Sequence, residues 1–152
     1  MATENGRLLG IAVRPAVGAD LQELDAVSIR LESGVDGDYR RGGGARQVTV
    51  LAKEAWQAAC REVDAALPWT ARRANLLVAG LSLEASIGKR LRVGQVLLEI
   101  TGETRPCEVM EVAHAGLREA LEPGWRGGVT CRVLAHGTVQ IGDPVTLIDG
   151  EA

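Results

Sequence analysis

Short apolar runs broken by glycine and Asp-Pro punctuation predict a mainly β protein. The expected architecture is a closed or partly open barrel of short, mostly antiparallel strands. Strand-like runs dominate the chain, and only one long segment has convincing helical spacing. Phenylalanine is absent and tyrosine occurs once, so the core must be aliphatic, helped by three tryptophans. Many short strands with few helices favour closure, because closing a sheet removes its exposed edges. With 152 residues, 46% of them hydrophobic and 24% charged, residues 1–152 are expected to form one ordinary globular domain.

The strand-like runs begin with Arg7–Val13, Ala26–Leu31 and Gln47–Leu51. A helix is expected over Lys53–Leu67, where Trp56, Cys60, Val63 and Leu67 make an apolar stripe at helical spacing. Ala74–Val78, Arg90–Val93 and Val96–Thr101 read as strands, and a short helix is expected around Gly116–Leu121. Val129–Leu134, Thr138–Ile141 and Val145–Ile148 complete the set. Leu91–Leu98 and Val139–Leu147 echo each other as strand, glycine turn, strand, which a shared hairpin solution explains without an ancient repeat. Gly34–Gly44 reads as a mobile loop. It lacks the Gly-Lys-Ser/Thr ending of a Walker loop and opens no helix. It is either a plain flexible linker or a loop that brings Asp38, Arg40 and Arg41 over an anionic ligand.

A net charge of −3 argues against a nucleic-acid binder, while leaving room for a local basic pocket. Three cysteines without close pairs do not read as a disulfide framework, and a reducing compartment is expected. Met1–Gly6 lacks the charged and apolar regions of a signal peptide, and no apolar run approaches membrane-spanning length. The expectation is a soluble cytoplasmic protein with neither membrane nor nucleic acid as partner.

Cys107 is the candidate reactive group. If Arg105 caps a helix and Pro106 is its first residue, Cys107 falls in the first turn. There, unpaired N–H groups and the positive end of the helix dipole favour a thiolate. Arg105 adds to that effect, whereas Glu103, Glu108 and Glu111 oppose it. Cys60 lies on the apolar stripe of the long helix, and Cys131 alternates with Val129 and Val133 in a strand, so both read as packing residues. A lone cysteine is also more often packing than chemistry, and Cys107 carries both readings.

Arginines recur beside glycine, asparagine or the start of a strand: Arg40, Arg46, Arg72 and Arg73 ahead of Asn75, and Arg126 ahead of Gly127-Gly128. A guanidinium fork matches phosphate or carboxylate oxygens, and glycine lets a backbone N–H come close. These arginines are either an anion pocket, if they converge, or scattered surface charge. No Cys-x-x-Cys or histidine pair has zinc-ligand spacing. His136 reads as a turn residue, and His114 as a loop residue whose role as a base stays open.

In order and spacing, these motifs resemble the molybdenum-cofactor sulfurase C-terminal (MOSC) domain family. The matching segments are Gly34–Asp38, Arg46–Leu51, Arg72–Leu81, Gly94–Gly102, Arg105-Pro106-Cys107, Arg126–Val129 and Gly142–Val145. The resemblance covers nearly the whole chain. It implies a β-rich, barrel-like fold with peripheral helices, and it implies that Cys107 is the functional thiol. One departure is visible: the family's Gly-Asp-x-His pattern reads Gly37-Asp38-Tyr39-Arg40 here, with arginine in the histidine's place.

The resemblance implies two chemistries. As a sulfur carrier, Cys107 accepts sulfur from the persulfide of a pyridoxal-phosphate-dependent cysteine desulfurase, or another sulfur donor, and passes it to a metal-sulfur or molybdenum-cofactor pathway. This reading leads, because the chain is short and has no second redox domain. As a reductase of N-hydroxylated compounds, Cys107 is instead a ligand to molybdenum in a bound molybdenum cofactor. Arg72, Arg73, Asn75, Arg46, Asp38, Arg40 and Arg126 would then hold the cofactor, and an electron-donor protein is needed. A non-catalytic binding module with a packed Cys107 is the third reading.

Overall fold

The computed structural model describes residues 3–39 and 44–150. The longest strand, β1 (Thr3–Val13), pairs along its first half with the last, β11 (Pro144–Ile148), and so closes the sheet. Between them lie β7 (Arg90–Val93), β8 (Val96–Glu103), β9 (Val129–Ala135), β5 (Val48–Ala52) and β6 (Leu76–Ala79). The order β11-β7-β8-β9-β5-β6-β1 is a closed barrel of seven strands, and β2 (Gln22–Leu24) is added beside the end of β1. β3 (Ala26–Arg30), β4 (Gly34–Val35) and β10 (Gly137–Gln140) form a separate small sheet. Its Val27, Ile29, Val35 and Val139 pack into the barrel's own core.

The side-chain alternation of period two explains the strands. In β8, Val96, Leu98 and Ile100 are buried and alternate with Leu97, Glu99 and Thr101. β5 is different, because every residue from Val48 to Ala52 is buried. One face of β5 lines the barrel core. The other is covered by a second apolar cluster of Leu51, Trp56, Cys60, Leu77, Met110, Leu117 and Leu121. This cluster sits under the helices α1 (Lys53–Glu62), α2 (Glu108–Ala113) and α3 (Leu117–Ala120).

β5 and β6 are parallel, while the other pairings are antiparallel. Parallel neighbours need a crossover, which α1 and the 3-10 turn Trp69–Arg72 supply. α1 ends at Glu62, short of the expected Leu67, because Asp64 turns into the left-handed region at φ 51°. The rest of the segment still packs, with Trp56 Nε1 donating to the Leu67 carbonyl at 3.1 Å.

The echo between Leu91–Leu98 and Val139–Leu147 does not extend to pairing. β7 and β8 make a hairpin, whereas β10 joins the small sheet and β11 the barrel. Gly34–Gly44 also departs from a mobile loop at its start, where Gly34 and Val35 pair with β3 and Asp38 is buried. Arg40, Arg41, Gly42 and Gly43 lie outside the described residues. No helix among the described residues is long and apolar enough to cross a membrane.

Candidate functional site

Residues from four connections converge where β5 and β6 meet the end of β8. They are the segment before β5, the 3-10 turn before β6, the stretch from β8 to α2, and the turn before β9. A cleft of about 170 Å³ opens between them, lined by Arg46, Arg72, Arg73, Arg105, Cys107, Thr49, Thr104 and Gly127 among others. Among the described residues no Asp or Glu lines it, so a basic cleft sits in an acidic protein.

Cys107 is exposed at this cleft, while Cys60 and Cys131 are buried. Its helical position differs from the expected one. Cys107 is the N-cap of α2, in an extended conformation (φ −133°, ψ −172°), and the helix begins at Glu108. The chain stays extended this far because β8's pairing continues past its end, with the Thr104 N–H donating to Gly128 O at 2.8 Å. Proline at 106 adds to this, disfavouring helical geometry at Arg105. Arg105 is therefore no cap. It lines the cleft and lies 3.9 Å from Glu103.

The expected arginines separate into groups. Arg46 is exposed and lines the cleft. Arg72 is buried, and its guanidinium donates from Nε to Gly127 O (3.0 Å) and from Nη2 to Thr104 O (2.9 Å). Arg73 adopts left-handed geometry (φ 67°, ψ 30°). It lines the cleft and also a small neighbouring cavity with Arg14, Leu21, Asp38, Tyr39 and Asn75. Arg126 is not brought to the cleft. It pairs with Glu62 at 2.8 Å and donates to Ala120 O at 2.9 Å, bracing the helices.

Asn75 and Asp38 are buried as struts. Asn75 Oδ1 accepts from the Thr49 N–H and hydroxyl, and its Nδ2 donates to Ala12 O, which ties β1, β5 and the start of β6 together. Asp38 Oδ1 accepts from the Arg14 N–H at 2.9 Å. Tyr39, the neighbour of Asp38, takes a hydrogen bond from Arg14 Nη2 at 3.0 Å, and the Arg14 guanidinium lies 4.8 Å from its ring centre. His114 caps the end of α2, with Nδ1 2.9 Å from Ala115 O, and is not among the cleft's lining residues.

Two buried polar atoms of cleft residues, Arg73 Nε and Thr104 Oγ1, have no hydrogen-bond partner. Orphaned polar atoms on residues that line a cleft suit an acceptor-bearing ligand, because leaving them unpaired costs roughly 1–3 kcal/mol each. Their cationic surroundings suit an anionic group such as a phosphate. Thr104 carried no signal in the sequence, and Gly127 stood out only as a glycine beside Arg126. Thr104 lies beyond the expected strand Val96–Thr101, and the contribution of Gly127 is the room it leaves: a Cβ there would run into the Thr104 carbonyl. Among the described residues, no group of three or more His, Cys, Asp and Glu side chains could hold a metal ion.

Comparison with solved structures places the fold among known proteins. The YuaD protein from Bacillus subtilis superimposes with a TM-score of 0.83 over 99% of each chain, at 18% identity. YiiM from Escherichia coli gives 0.69 at 19% identity, covering 96% of this chain and 71% of its own. YiiM from Geobacillus stearothermophilus gives 0.68 at 18% identity, covering 95% and 73%. These likenesses speak to the fold alone. A comparison with curated proteins finds no match. The MOSC domain profile matches residues 37–146, a span that runs from the Gly37-Asp38 turn through the cleft and Cys107 into the last strand. The chain therefore belongs to the MOSC domain family, which is linked to molybdenum-cofactor sulfurase-like and cofactor-binding functions.

Proposed function

We propose that this domain handles the molybdenum cofactor or its sulfur, with the Cys107 thiolate as reacting group and the arginine cleft as seat for an anionic part of the cofactor. One observation carries the reading: an exposed cysteine shares a cleft with Arg46, Arg73 and Arg105 and with two donors that lack acceptors. A cleft of about 170 Å³ suits an anionic end group such as the cofactor's phosphate rather than a whole pterin.

The residues present fit that group. Arg73 Nε and Thr104 Oγ1 would donate to phosphate oxygens, Arg46 would add charge from the solvent side, and Cys107 would offer one soft thiolate to the metal. Asn75 and Asp38 act behind the cleft by fixing the strands and the neighbouring loop. When bound, the cofactor supplies two-electron redox chemistry at molybdenum, and an electron donor would then be a required partner.

Sulfur carriage is the second reading, and the exposure of Cys107 favours it, because a donor protein must reach the thiol. In that step the Cys107 thiolate attacks the outer sulfur of a desulfurase persulfide. A new S–S bond forms on Cys107 as the donor's S–S bond breaks, and the donor leaves as a thiolate. The proton stays on the transferred sulfur, and no net oxidation occurs.

Anaerobic native mass spectrometry with peptide mapping around Cys107 separates the readings. A noncovalent adduct containing molybdenum and pterin, lost in Cys107→Ser, is the expected result for cofactor binding. One added sulfur on the Cys107 peptide after incubation with a desulfurase and cysteine is the result for sulfur carriage. An unmodified mass under both conditions would overturn both readings and leave a binding module.

A further inference from the structure

We infer that Arg72 is a positioning residue for Cys107, acting through the chain segment that carries the thiol. The inference rests on the reading of Cys107 as the reacting group. Its basis is the division of labour between adjacent arginines. Arg72 ends the 3-10 turn with its side chain buried, whereas Arg73, left-handed in its backbone, also lines the small neighbouring cavity.

The Arg72 fork donates to three carbonyls. Nε reaches Gly127 O at 3.0 Å, while Nη2 reaches Thr104 O at 2.9 Å and Arg105 O at 3.5 Å. Two of these acceptors lie just before Pro106-Cys107, and the third lies in the turn before β9. The same seam is closed from the other side by the Thr104 N–H on Gly128 O. Gly127 makes the approach possible, because a Cβ there would strike Thr104 O and come within 3.1 Å of Arg72 Nη2. Beyond the thiol, the Met110 N–H donates to Cys107 O at 2.9 Å, and buried Met110 anchors α2 from below. α2 itself has only six residues and no side-chain cap at Cys107, so its own start holds the thiol weakly.

Buried carbonyls at such a seam need donors, and a planar fork serves several at once. Lysine would keep the charge but lose the fork. Arg72→Lys therefore tests position separately from charge. Gly127→Ala tests the same seam without changing any charge, and Arg46→Ala is a charge control at an exposed cleft residue.

The experiment uses the full chain, with hydrogen exchange over 103–110 and alkylation of Cys107 by iodoacetate and by iodoacetamide. In Arg72→Lys and Gly127→Ala, exchange over 103–110 is expected to rise roughly tenfold while the β7–β8 hairpin keeps its protection. In the same variants, the preference of Cys107 for the anionic reagent, measured against free cysteine, is expected to be lost. Arg46→Ala is expected to lower that preference with exchange unchanged. Unchanged exchange over 103–110 in both Arg72→Lys and Gly127→Ala overturns the inference, whatever the alkylation shows. A wild-type Cys107 that reacts no faster than Cys60 sinks the proposed function instead, and exchange still decides the role of Arg72.

Discussion

The barrel interior and the arginine cleft are built by opposite rules. In the barrel, Leu98, Ile100, Val129 and Cys131 are almost wholly enclosed by other strands, and the backbone is paired around a closed sheet. In the cleft, turns gather against β5, Arg73 holds a left-handed backbone, and two buried polar atoms go without partners. One region is organised for stability. The other keeps features that cost stability. The two cysteines mark the contrast, Cys131 sealed in the barrel and Cys107 exposed at the cleft.

The largest expected effect breaks the comparison on its functional side. Cys107→Ser is expected to abolish sulfur loading and cofactor retention while changing unfolding free energy by no more than about 0.5 kcal/mol, as for other exposed positions. Full retention of both, read by mass spectrometry, would remove Cys107 from the chemistry. Leu98→Ala is the counterpart in the barrel. It is expected to cost about 2–5 kcal/mol in denaturant unfolding and to leave the reactivity of Cys107 as it was in the folded fraction.

A third test uses pH. Burial pushes the Cys131 thiol well above its ordinary value of 9.0. The folded state therefore keeps this proton where the unfolded chain has lost it. The contribution is fully present below the ordinary thiol value and declines as pH rises through it, by about 1.4 kcal/mol per pH unit. The difference in stability between wild type and Cys131→Val is expected to show that slope above pH 9.0 and none below. A flat difference would mean that the thiol is not sealed.

The smallest effect sharpens the comparison most. Arg73→Gly is expected to stabilise the protein by about 1 kcal/mol, because glycine relieves the left-handed backbone. The same change is expected to weaken retention of the anionic ligand roughly tenfold or more. A variant that gains stability and keeps the ligand would show that Arg73 is not part of the seat.

Much of the barrel was legible in the sequence. Arg90–Val93 was read with the bounds it has, and the expected strand Val96–Thr101 falls within β8. Cys60 and Cys131 read as packing and are packing. The residues of the candidate cleft were legible in part, but not their division of labour. Arg46, Arg72, Arg73 and Cys107 do share a cleft, whereas Asn75 and Asp38 are struts and Arg126 braces the helices. Nothing in the run Arg72-Arg73 says that one guanidinium turns inward and the next lines the cleft. The start of α2 lies two residues later than expected, since Cys107 rather than Arg105 is extended and caps the helix.

What the sequence determined by itself was local: the period-two apolar pattern, the glycine turns and a cysteine behind Arg-Pro, each a property of neighbouring residues. What only the tertiary structure decided was which distant groups meet. Barrel closure puts residue 72 beside 104 and 127, and the Arg72 guanidinium joins them because three carbonyls there need a donor. Hydrogen bonds between residues so far apart in sequence leave no periodicity to read, and they exist only once the strands around them have closed.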